Sequence, residues 1–180
     1  MIQFNLIARV ADDKNYFVDF IHVVHQAKNL YNIDVQFTFV GAIQNEGLYK
    51  ALARMAEVLK VDHLIDFTKA SVRYDDLPGD LKKGYFLNFS VGNSIGYSSI
   101  ESIKYNFKTL FYNVDPKCVA VMQPGLLSFC KNYNDLLEII KMIEADKVGF
   151  DEQLERENKA LLPGFSLTKK EADLLITTMI

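Results

Sequence analysis

Residues 85–102 read YFLNFSVGNSIGYSSIES. The run from Tyr85 to Phe89 is apolar, and the stretch from 90 to 102 then holds two glycines, five serines and an asparagine. Ile100, Ile103 and Phe107 follow with helical spacing, so the segment reads as a strand, a small-residue loop and the start of a helix. Small residues at such a junction let backbone N–H groups approach an anion, with the positive end of a helix dipole behind them. The same composition also serves a tight turn that only joins strand to helix.

Working outward, strand and helix signals alternate. Residues 2–10 (IQFNLIARV) read as a first strand, and 14–32 as a helix with Phe17, Phe20, Ile21, Val24, Ala27 and Tyr31 on its buried face. Asp12 or Asp13 is expected to cap it. Residues 33–41 (IDVQFTFVG) form a second strand, followed by a helix with Leu48, Ala51, Leu52, Met55, Val58 and Leu59 inward. Residues 62–68 are a third short strand, and 75–84 a weak helix broken by Pro78 and Gly79, with the Tyr74–Asp75–Asp76 triplet as its cap. Beyond the quoted segment come strands at 108–114 and 117–123, then a helix with Leu136, Leu137, Ile140 and Ile143 inward. Strands separated by helices in this way predict a doubly wound α/β domain with a parallel sheet of about six strands. The pattern changes past residue 145. A charged helix over 151–162 and a last helix from Thr168, with Glu171 completing a capping box, make 150–180 a helical C-terminal tail to a domain over 1–149.

The composition excludes several function classes. With 180 residues, 49% hydrophobic and 24% charged, the chain has the make-up of one folded domain. A net charge of −3 and scattered lysines and arginines leave no footprint for nucleic acid. Cys118 and Cys130 form no metal or disulfide framework, which favours a reducing, cytoplasmic setting, and no run is long and apolar enough for a membrane span. His22 and His25 share a helix without a third ligand, and His63 reads as structural, so no metal is expected. No G-x-G-x-x-G follows the first strand and no G-x-S-x-G elbow surrounds Ser94, Ser98 or Ser99.

In an open parallel sheet, ligands bind at the carboxyl ends of the strands. Arg9 and Lys14 follow the first strand and the glycine-serine loop follows the fourth, so both sit on that rim. Together they would suit a phosphate or diphosphate, or Arg9 would simply pair with Asp12 or Asp13 as a solvated surface charge. Glu101 has two readings as well. It lies three residues after Ser98, the spacing of a capping box, and its carboxylate would equally accept the hydroxyls of a ribose.

With these positions set out, the chain resembles the C-terminal, nucleotide-sugar-binding half of a two-domain GT-B glycosyltransferase of the family 4 (group 1) type. The resemblance runs in order from about residue 4 to 145. It is carried by ARVADDKN (8–15), FTFVG (37–41), VDHLIDFT (61–68), LPGDLKKGYFLNFS (77–90) and SVGNSIGYSSIES (90–102). In the last of these the family has a Glu, seven residues and a second Glu; this chain has Asn93 and Glu101, with Ser94 where glycine is usual.

The resemblance implies that Arg9 and Lys14 hold the diphosphate of a donor and that Glu101 holds its ribose. It further implies that Ser94, Ile95, Gly96, Tyr97 and Ser98 wrap the sugar and phosphates, with Asn93 at the catalytic position facing the hexose. The implied activity is retaining transfer of a hexose from a nucleotide-diphosphate sugar, in polysaccharide or glycoconjugate synthesis in the cytoplasm or at the inner face of the membrane. No cofactor is implied. An N-terminal acceptor-binding domain would be the partner, and the fragment alone would be inactive. Asn93 also leaves open a non-catalytic nucleotide-sugar-binding module.

Overall fold

The computed structural model describes residues 1–14, 16–89, 97–112 and 127–165, with the side chains of Tyr97, Gly164 and Phe165 left out. Among them, β1 (Ile2–Ile7), β2 (Val35–Val40), β3 (Ile65–Phe67), β4 (Tyr85–Phe89), β5 (Lys108–Tyr112) and β6 (Phe129–Cys130) form one parallel sheet in the order β3-β2-β1-β4-β5-β6. The helices are α1 (Phe17–Tyr31), α2 (Glu46–Val58), α3 (Gly79–Lys82), α4 (Tyr97–Lys104), α5 (Tyr133–Ala145) and α6 (Lys147–Leu161). This is the doubly wound α/β arrangement expected from the alternation of signals. The strand proposed at 117–123 and the helix proposed from Thr168 lie outside the described residues.

Both faces of the sheet are covered, which is why its strands read as nearly continuous apolar runs. On one face Phe4, Leu6, Phe37, Phe39, Tyr85, Leu87 and Leu110 pack under α1, α2 and α5. The aromatic rings interlock there: Phe20 of α1 stacks on Phe37 at 5.0 Å, and Phe4 meets Tyr85 at 5.4 Å. On the other face Val40, Phe86 and Phe107 pack with Leu77, Val72, Tyr74 and Leu81, so the segment after β3 and α4 share that side.

Several local expectations are corrected. Neither Asp12 nor Asp13 caps α1, whose cap position is Tyr16 with no side-chain bond; Asp12 instead accepts from Asn45 Nδ2, and Asp13 pairs with Lys14. Tyr31, the last residue of α1, is 42% exposed, with Lys141 Nζ of α5 5.1 Å from the centre of its ring. In α2 only Leu52 and Ala56 are fully buried while Val58 is 63% exposed, since three-residue β3 offers little sheet to cover. Residues Asp62–Leu64 make a 3-10 turn ahead of β3, and His63 belongs to that turn.

α6 begins at Lys147, runs through position 150 and packs on the sheet. Phe150 and Leu154 enter the main core, and Leu161 packs with Ile103 and Phe111. Its buried polar residues bond to backbone. Asn158 Oδ1 accepts from Thr109 N at 2.8 Å and its Nδ2 donates to Thr109 O at 3.0 Å, the two bonds that a neighbouring strand would make. Glu157 accepts from the N–H groups of Leu127 and Ser128.

At the other end of α6, Asp151 accepts from Tyr85 Oη at 2.5 Å, Lys147 Nζ at 2.8 Å and Lys108 Nζ at 3.1 Å. Burial works to raise its pKa, but bonds from Lys147, Tyr85 and Lys108 outweigh it and hold the carboxyl below its ordinary value. A depressed carboxyl pKa stabilises the fold above the unfolded value, roughly pH 4, and that contribution is lost as pH falls through the folded value. Asp151→Asn is therefore expected to cost about 1 kcal/mol at pH 7, solvent screening holding the figure down. Denaturant titrations should show the gap from the parent closing toward pH 3.

Candidate functional site

The strand order reverses between β1 and β4, and the crevice at their carboxyl ends is where an open α/β sheet takes its ligand. Its first wall is built from the loops after β1 and β2. Gly41 lies directly against the Ala8 carbonyl, and a Cβ there would stand 2.6 Å from the Ala8 carbonyl carbon and 2.9 Å from Arg9 N. Val10 and Ile43 form a bridge, and the N–H groups of Gln44 and Asn45 both donate to Val10 O at 2.9 Å. Asn45 then caps α2 by accepting from Leu48 N at 2.7 Å. The loop bearing Arg9 and Lys14 is thus clamped onto the next loop by backbone bonds.

Arg9 is exposed and makes no hydrogen bond or ion pair with the described residues. Lys14 Nζ pairs with Asp13 at 2.7 Å and stands 5.7 Å from the centre of the Tyr16 ring, with its side chain 17% exposed. The hydrogen bond from Lys14 holds the Asp13 carboxyl below its ordinary pKa. Of the two carboxylates considered for Arg9, one is therefore taken by Asn45 and the other by Lys14.

The second wall is α4. Ser98 lies inside its first turn rather than ahead of it, and among the described residues the Glu101 carboxylate receives no hydrogen bond from the Ser98 N–H. The capping box read from the Ser98–Glu101 spacing does not form. Glu101 is exposed and, among the described residues, its side chain makes no ion pair or hydrogen bond, while its backbone carbonyl accepts from Tyr105 N at 2.9 Å. Asn93, Ser94, Ile95 and Gly96 lie outside the described residues, as does the side chain of Tyr97.

The serines of α4 have a packing role. Ser99 and Ser102 are 3% and 0% exposed against the sheet. Asn88 Nδ2 donates to Ser102 Oγ at 3.1 Å, Ser102 Oγ meets Thr109 Oγ1 at 2.9 Å, and Thr109 is held in turn by Asn158. This network runs from β4 through α4 and β5 to α6 and leaves no buried side-chain polar atom unpaired among the described residues. It fixes how α4 sits at the end of β4.

Sequence reasoning missed a tyrosine pair beside Glu101. Tyr74, in the 3-10 turn Tyr74–Asp76 and thus not a helix cap, donates its hydroxyl to Ser98 O at 2.6 Å. Its ring stacks on Tyr105 at 5.2 Å, and Tyr105 Oη donates to Asp75 at 3.1 Å. Only the recurrence of aromatics on either side of β4 hinted at them. Further along the same edge, a cavity of about 230 Å³ opens between Tyr16, Phe89, Tyr112 and Tyr133. His25 bonds to Asn29 and Leu59 O, and no group of three or more metal-ligating residues occurs among the described residues.

No family model matches the chain, and no curated protein matches it significantly. Solved structures do. HepE from Anabaena, solved in complex with UDP and glucose, aligns with a TM-score of 0.72 at 12% identity over 99% of this chain and 48% of its own. The C-terminal domain of a glycosyl transferase group 1 family protein from Francisella tularensis aligns at 0.64 and 11% identity, over 93% of this chain and 87% of its own. The catalytic domain of cholesterol-alpha-glucosyltransferase from Helicobacter pylori aligns at 0.60 and 18% identity, over 91% and 99%. The chain has the fold of the C-terminal domain of group 1 glycosyltransferases, and it spans about half of the Anabaena chain. No helix among the described residues is long and apolar enough to cross a membrane.

Proposed function

We propose that this chain is the donor-binding half of a glycosyltransferase, holding a nucleotide-diphosphate sugar at the β1/β4 crevice for transfer of its hexose to an acceptor. The observation that carries the reading is one rim with two kinds of group. Arg9 and Lys14 follow β1, and α4, whose Glu101 carboxylate makes no hydrogen bond or ion pair among the described residues, follows the adjacent β4. Similarity over nearly the whole chain to a protein solved with UDP and glucose supports it.

In this reading the diphosphate accepts charge-assisted bonds from the Arg9 guanidinium and from Lys14, which exchanges Asp13 for phosphate oxygens. The ribose hydroxyls donate to Glu101. Residues 94–98 are assigned to the sugar and phosphates, which the positive end of α4 favours, and Asn93, an uncharged amide, is assigned to the hexose. A second domain carrying the acceptor closes the cleft, because transfer needs both substrates in near-attack geometry. Retention of configuration and a role in polysaccharide or glycoconjugate synthesis belong to the same proposal. Asn93, standing where a glutamate would oppose an oxocarbenium charge, favours a second reading, a nucleotide-sugar-binding module without turnover. Assay of the natural full-length chain with UDP-, GDP- and ADP-sugars separates the two, since tight binding without transfer or hydrolysis supports the module.

Glu101→Gln tests the site itself. Calorimetry with nucleoside diphosphates, in EDTA because the reading assigns no metal, should show affinity falling about tenfold. Melting without ligand should change little, as the Glu101 side chain is exposed and makes no hydrogen bond or ion pair among the described residues. Undiminished affinity would remove the ribose contact and the strongest residue-level support for the reading.

A further inference from the structure

We propose that Tyr74 is a positioning residue of the nucleotide cleft, locking the first turn of α4 onto the segment after β3 through its hydroxyl bond to Ser98. The inference rests on the donor reading above. β3 and β4 are not neighbours in the sheet, since β2 and β1 lie between them. The loops after β3 and β4 therefore inherit no fixed spacing from strand pairing, and something else must set it. Tyr74 spans that gap, with its hydroxyl 2.6 Å from Ser98 O and its ring packed against Val40, Phe86 and Phe107. The Ser98 carbonyl lies in the helical turn that carries Glu101, so the bond fixes the height and rotation of that turn.

The contact is reinforced around its edge. Tyr105, at the end of α4, stacks on Tyr74 and donates to Asp75, while Arg73 closes on Asp76 at 2.8 Å. Burial, with the Glu101 charge close by, pushes the Tyr74 hydroxyl above its usual pKa, so it remains a donor at any working pH. On the opposite side, Ser102 is held by Asn88 and Thr109. The turn is gripped from both sides, and preorganisation of this kind lowers the ordering cost of binding a ligand.

The test is Tyr74→Phe, which keeps the ring and removes only the hydroxyl. Amide hydrogen exchange is expected to speed up across 98–102 with α1 and α5 unchanged, and UDP affinity to fall about threefold to tenfold by calorimetry. In a Glu101→Gln background the same change should cost markedly less, because the group being positioned is gone. A purely structural tyrosine would lower melting instead and give equal losses in both backgrounds. Faster exchange with full UDP affinity, or unchanged exchange, overturns the proposal while the donor reading stands. A parent chain that binds no UDP, GDP or ADP overturns the donor reading, and the proposal falls with it.

Discussion

Replacing Gly41 by alanine is expected to destabilise the fold by about 3 kcal/mol or more, lowering Tm by about 6 to 12 °C for a chain of this length. The added methyl would press into the Ala8 carbonyl and come within 2.9 Å of Arg9 N. Neither neighbour is a flexible side-chain end that can swing aside. Both belong to backbone held by the bond from Ala8 N to Val40 O and by the Val10–Ile43 bridge. Relief therefore requires the loop carrying Arg9 to part from the end of β2. A nucleotide that binds through Arg9 should also be held less well by this variant. Differential scanning calorimetry gives the first number, and a melting change below about 1 °C would refute the packing account.

Gly41 shows how sequence and structure divide the work. That a glycine ends the second strand was plain in the pattern, but its reason, the close approach of another loop, is tertiary. The alternation of strands and helices was legible because each parallel strand buries both faces and each helix keeps one stripe. Phe17, Phe20, Ile21, Val24 and Ala27 are all buried as their spacing required. β6 was not legible, being two residues, Phe129 and Cys130, whose pairing with β5 no periodicity can announce.

Polar residues misled for a related reason. α6 read only as a charged helix, yet Glu157 and Asn158 are 9% and 4% exposed because both complete backbone hydrogen bonds of segments far away in sequence. The aspartates before α1 read as caps, but partners from outside the helix, Asn45 and Lys14, claim them first. Local propensity named the right residue types there and the wrong partners. Of the candidate site, Arg9, Lys14, Ser98 and Glu101 could be placed at the expected edge of the sheet. The pairing of Lys14 with Asp13 and the Tyr74 contact could not be read from spacing.

Lys14 carries the largest effect expected on binding. Lys14→Ala removes one charge-assisted contact to the diphosphate, roughly 1.5 to 3 kcal/mol, or about tenfold to a hundredfold in affinity. Two further consequences of the structure act in opposite directions. In the free chain Lys14 already pairs with Asp13 at 2.7 Å, so part of the gain on binding is spent breaking that pair. Without Lys14, however, the Asp13 carboxylate loses the bond that holds its pKa down and faces the phosphates as a like charge. Asp13→Asn separates these effects. It frees Lys14 and removes the repulsion, so nucleoside diphosphate affinity should rise, and the Lys14→Ala penalty should shrink when the two changes are combined. Both effects should weaken with added salt, as expected for charges at an open rim. A Lys14→Ala variant that binds UDP, GDP and ADP as the parent does would take Lys14 out of the site and leave Arg9 as the cation on that wall.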